Sequence, residues 1–299
     1  TWHPKSTTNQ SDLPPVPPRG DVYKLNVMLM ETNPRLWTYS SSNSPLQLPS
    51  SSVLFTQRQL ITLEHPKFQD ISEELNREGI MEIAQSYHHE NIGLNQLLQQ
   101  NNAPQLSERF PILLTGECAN PYRLQDMMMS PLPLLLVRLE HLCRTWADSL
   151  DAREVKPGIH HVTLARSEGW WEPTLLGLAT RPQMKQILEW LNAGQRDAWK
   201  PMKLDEGALR LETDCDLPLP TSSDLHWDGE NETVAAKMPP PNGPTISMSE
   251  IFIPIHVRLG CYNNRGRLAR CLHINQRDFH EKLFRRGSSF KWNELLTTK

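Results

Sequence analysis

The stretch Leu132-Pro133-Leu134-Leu135-Leu136-Val137-Arg138-Leu139-Glu140-His141-Leu142-Cys143-Arg144-Thr145-Trp146-Ala147-Asp148-Ser149-Leu150 decides how this chain folds, because it contains the longest apolar run, Leu132 to Val137. At steps of three and four residues, Leu135, Leu139, Leu142, Cys143 and Trp146 fall on one side, while Arg138, His141, Arg144 and Asp148 occupy the rest. That spacing predicts an amphipathic helix over Leu132–Leu150. Cys143 on its apolar side reads as a packed thiol, since buried thiols are inert. The apolar run is broken by Pro133 and falls well short of the roughly 20 residues a membrane span needs, so no membrane contact is expected.

Downstream, Ile159 to Arg166 and Thr174 to Ala179 have strand character, and Ser167-Glu168-Gly169-Trp170-Trp171-Glu172-Pro173 between them reads as the tip of a hairpin. Trp170 and Trp171 are the candidate aromatic contacts there, a stacking platform for bases or a partner surface. The plainer alternative folds them back against the sheet. Pro182 and Gly194 bracket a short helix, Gln183 to Leu191.

Upstream, Val22 to Met30, Val53 to Leu63 and Phe110 to Leu114 are expected strands. Between Phe68 and Gln100, apolar residues recur at helical steps, and Gly79 and Gly93 divide the segment into short helices with Asp70 and Ser72 as caps. His88-His89-Glu90 reads as a solvated helix face, because adjacent histidines on a helix diverge by about 100° and cannot chelate as an i, i+4 pair does.

These elements make an α+β protein of mixed strands and short helices, with a β-hairpin plus helix at its C-terminus. The 25 prolines exceed the usual share of about 5% and mark long connections. The chain divides into a proline-rich arm (1–21), an α+β core (22–213), an acidic proline-rich linker (214–248) and a basic hairpin-helix unit (249–299). The Pro14-x-x-Pro17-x-Arg19 and Arg19-Gly20-Asp21 matches in the arm follow from composition alone. Five scattered cysteines without a C-x-x-C pair argue against a disulfide framework and for a reducing compartment, the cytoplasm.

A formal net charge of −3 conceals a dipolar tail. From Ile251 to Lys299, Arg258, Arg265, Arg267, Arg270, Arg277, Lys282, Arg285, Arg286, Lys291 and Lys299 face only Asp278, Glu281 and Glu294; from Asp205 to Glu250 the acids dominate as strongly. Ser249 to Leu259 and Leu268 to Ile274 are expected to form a hairpin around Asn263-Asn264-Arg265-Gly266, placing His256 opposite His273 and Arg258 opposite Cys271. One face would then be core and the other basic and wet. The helix from Gln276 to Arg286 would turn Phe279 and Leu283 inward.

The surface expected to bind nucleic acid or an acidic partner comprises Arg258, Asn264, Arg265, Arg267, His273, Arg277, Lys282, Arg285 and Arg286. Its leading reading is a docking face for protein, in a non-enzymatic subunit of a larger assembly; the alternative is DNA or RNA binding through phosphate contacts. A third reading is a ββα metal nuclease drawing on His256, Asn264, His273 and His280. No G-x-S-x-G, G-x-G-x-x-G or H-E-x-x-H occurs, and no cofactor, metal or catalytic residue is assigned. Alternation would put Cys261 on the face opposite Cys271, so all four of Cys261, Cys271, His256 and His273 could not share one zinc site; His256, Cys271 and His273 alone could, but a satisfied polar surface is the preferred reading.

Overall fold

In the computed structural model, the described residues are 27–29, 48–68, 72–150, 159–193, 196–212, 217–264, 267–284, 288–291, 294 and 296–299. The expected arm, Asp70, Arg265, Arg285 and Arg286 lie outside them. The fold is α+β, with mixed sheets and few short helices.

Leu132–Leu150 is a strand along its whole length, not a helix. It pairs antiparallel with a second long strand, His160–Thr180, and the two form a central ribbon. The reason for the difference lies in burial on both sides. Leu135, Val137 and Leu139 enter one core with Ile80, Leu94, Leu97 and Leu98, whereas Leu132, Leu134 and Leu136 enter another with Leu124, Ile187 and Leu191. A strand covered on both faces is apolar at every position and loses the two-residue alternation that would identify it.

The same strand uses both edges. Along one it meets His160–Thr180, whose far edge carries Arg109–Leu114. Along the other, Leu132–Leu134 pair with Val53–Phe55, Val137–Glu140 with Ala208–Leu211, and Ala147 with Cys261. The sheet continues from Val53–Phe55 through Gln59–Thr62 to Val27–Leu29, and from Ala208–Leu211 through Thr245–Ser247 to Glu74–Leu75. Segments distant in sequence are thus assembled on one template.

The expected hairpin tip at Ser167–Pro173 is an irregularity inside the ribbon. Pairing passes from Glu140↔Trp171 to Leu142↔Arg166, so His141 faces a looped-out run on the partner strand. Gly169 (φ 77°) and His141 (φ 63°) absorb the kink, and the Gly169 amide donates to His141 Nδ1 at 3.1 Å. This turns Trp170 and Trp171 inward, with relative exposures of 0% and 2%.

The helices follow their capping chemistry. Arg77–Gln85 begins at Asn76, whose side chain accepts from the Gly79 amide, so neither Ser72 nor Gly79 bounds it. Gly93 caps the next helix, Leu94–Gln100. Between them His88–His89 form a small strand against Ile92–Gly93 rather than a helix face. Arg181–Leu191 starts with a reciprocal box in which Thr180 and Gln183 bond each other's backbone.

The C-terminal hairpin and helix are present in altered form. Ile253–His256 pairs with Trp199–Met202, not with 268–274, and the tight hairpin joins Cys261–Asn264 to Arg267–Leu268. His256 therefore faces Trp199 instead of His273. Gln276–Asp278 is α-helical and continues as a π-turn through Phe279–Leu283, with Phe279 buried. The acidic stretch is more structured than its composition suggests. Leu225–Trp227 and Glu232–Val234 form a hairpin, Pro218 O accepts from Trp171 Nε1, and Pro239 O accepts from the Arg138 guanidinium.

Arg138 is fully buried, its Nε lying 2.8 Å from Glu212 and 3.0 Å from Glu140, which also receives Arg210 at 2.9 Å. Burial pushes the Glu212 carboxyl up to about 6, against the pull of Arg138. Removing one member of such a cluster strands the other charges. Arg138→Met is expected to lower unfolding stability by roughly 3–5 kcal/mol in urea titrations, whereas Arg138→Met with Glu212→Leu recovers most of the loss, because the Glu140–Arg210 pair survives.

Candidate functional site

Several of the described cations of the C-terminal unit are engaged within the chain. Arg270 is buried, paired with Glu232 of the acidic stretch and stacked 4.5 Å over Trp170. Arg277 binds Glu281 at 3.1 Å and Lys282 binds Asp278 at 2.6 Å, both within the terminal helical segment. His273 bonds Pro220 O at 2.8 Å and meets the edge of Trp170. Asn264 sits in the short hairpin, and Arg267 pairs with it, exposed. Arg258 is exposed elsewhere, beyond the Ile253–His256 strand.

That strand and its partner Trp199–Met202 border a surface groove. The groove is open to solvent and lined by Arg196, Asp197, Ala198, Lys200, His256, Val257, Arg258 and Leu259. Arg196 is highly exposed and lies 3.7 Å from Asp197; Lys200 and Arg258 have no ion-pair partner among the described residues. Three cations thus stand around one carboxylate. Sequence reasoning found Arg258 but missed Arg196 and Lys200, which lie some sixty residues upstream. No local signal announced the pairing of 199–202 with 253–256 that brings them together.

His256 holds the groove's far wall in shape. Its Nδ1 accepts from the amides of both Arg258 and Leu259 at 3.0 Å, which folds the chain back and presents the Arg258 side chain. The neutral ring therefore carries its proton on Nε2. Burial, reinforced by the Arg258 charge, lowers its pKa to about 4. The ring stands edge-on to Trp199, itself edge-on to His161.

Trp199 also lines a narrow cleft bounded by Glu117, Cys118, His160, His161 and apolar side chains. Its polar groups serve the fold. Glu117 faces Arg123 at 3.8 Å, and His160 bonds Ala147 O at 3.2 Å and His280 Nδ1 at 2.9 Å. Burial lowers the His160 pKa to about 4, with the nearby imidazoles His280 and His161 acting in the same direction.

No family model, curated protein or solved structure matches this chain. The site must therefore be read from its own geometry. His256, His273 and His280, the residues of the nuclease reading, point to Trp199, Trp170 and His160 respectively and share no centre. Among the described residues, no group of three or more His, Cys, Asp or Glu is placed to hold a metal ion. Trp170 and Trp171 offer no exposed ring to a base. Among the described residues, no helix is long and apolar enough to cross a membrane.

His160 and His256 set an acid limit on the fold. Each binds its proton near pH 4 when folded, against an ordinary value of 6.5. The unfolded chain therefore takes up more protons between those values, and stability falls as pH drops from 6.5 towards 4. His160, the more deeply enclosed, contributes on the order of 3 kcal/mol to that slope. His160→Gln is expected to be less stable than the parent at pH 7.5 but to show a smaller difference between pH 7.5 and pH 5, measured by urea unfolding at both.

Proposed function

We propose that this chain is a non-enzymatic binding subunit that docks a protein partner through a confined basic surface. The observation that carries this reading is the placement of the described cations: Arg270, Arg277 and Lys282 are paired with the chain's own Glu232, Glu281 and Asp278, while Arg258 lines one groove with Lys200 and Arg196. Tight phosphate binding needs many unpaired cations along a track, each releasing counterions. A local cluster suits a limited acidic contact between proteins, where such charges set orientation and partner choice. The buried thiols of Cys143, Cys261 and Cys271, each pushed above the ordinary range by burial, fit a reducing compartment, and the cytoplasm is the proposed setting.

The test separates the protein reading from the nucleic-acid one. Tagged full-length chain in native extract is expected to migrate in gradient sedimentation as a complex larger than itself, with a profile unchanged by nuclease. Purified chain is expected to show no salt-sensitive retention of labelled single- or double-stranded DNA or RNA. Collapse of the complex on nuclease treatment, together with salt-sensitive binding to either probe, would replace the reading with nucleic-acid recognition.

A further inference from the structure

We infer that the groove between Trp199–Met202 and the turn after His256 receives an acidic peptide segment carrying an aliphatic side chain between its carboxylates. This rests on the docking reading and names the chemistry of the partner. Lys200 projects from one strand and Arg258 from the turn beyond the other; neither is in an ion pair among the described residues, and Asp197, the carboxylate that lines the groove, lies beside Arg196. Arg277 and Lys282, by contrast, are each held by a carboxylate of their own helical segment. Two like charges held at one concavity raise the local potential, and an incoming carboxylate pair relieves it.

The remaining wall selects peptide over nucleic acid. Ala198, Val257 and Leu259 give the groove an apolar component, which suits an aliphatic side chain and offers a base nothing to stack on, since the neighbouring Trp199 is only 6% exposed. Pro201 in the outer strand lacks an amide donor, so the contact is made by side chains and not by addition of a strand to that edge. His256 is a positioning residue, because its two accepted bonds fix where Arg258 stands.

The experiment uses full-length chain and three fluorescein-labelled probes: a twelve-residue peptide alternating Glu or Asp with Leu, its Gln/Asn counterpart, and a single-stranded RNA. Anisotropy is expected to show binding of the acidic peptide alone, weakening as salt rises. Lys200→Glu with Arg258→Glu, both at exposed positions, is expected to lower that affinity by roughly ten-fold or more with unchanged urea stability. His256→Asn is expected to weaken binding less than the double variant. Equal binding of the acidic and amide peptides, full affinity in the double variant, or RNA binding lost in that variant would each overturn the assignment. If peptide binding fails while the double variant still sediments in the native complex, the groove assignment falls and the docking reading stands; if neither parent nor variant enters a complex, both fall.

Discussion

The structure depends on a single long strand that other segments pair with along both edges. Leu132–Leu150 lies buried on both faces and paired on both edges, so each of its backbone donors and acceptors must find a partner from elsewhere in the chain. The partner along one edge is continuous. Along the other, three separate segments take successive lengths: Val53–Phe55, Ala208–Leu211 and Cys261. The N-terminal strands, the middle of the chain and its C-terminus are therefore all tied to one element. A defect in that element reaches every part of the molecule.

Charge follows from the same constraint. A long central strand carries Arg138, Glu140 and Arg144 into the interior, and each must be paired there because an isolated buried charge is too costly to keep. Glu172 from the partner strand bonds the Arg144 amide and faces its guanidinium, while Glu212 and Arg210 arrive from the neighbouring strand for Arg138 and Glu140. Glu232 does the same for Arg270 from the acidic stretch. Arg270 of the basic half of the tail thus has its counterion in the acidic half.

Much of this was legible in the sequence, and the parts that were not share a physical cause. The helices at 77–85, 94–100 and 181–191 are amphipathic and capped, so periodicity found them. Leu132–Leu150 was misread because a strand buried on both faces shows no alternation, and five of its apolar residues happen to fall at helical steps. The turn signal at Ser167–Pro173 was real, yet it marks looped-out residues in a continuing strand rather than a chain reversal. Local sequence encodes the tendency to bend. Whether the bend ends the strand is decided by the partner across from it.

The candidate site was half legible for a related reason. A run of like charges in sequence predicts a basic surface only if no acid folds against it, and Glu232, Glu281 and Asp278 do so here. Arg258 escapes neutralisation because His256 turns the backbone away from the sheet directly after the strand, carrying the side chain to the groove where Lys200 already stands. Lys200 reaches that place through the pairing of Trp199 with His256, a contact spanning more than fifty residues that no local pattern records. The groove is thus a product of register, and a slip of one residue between those strands would turn Lys200 to the opposite face and leave Arg258 alone.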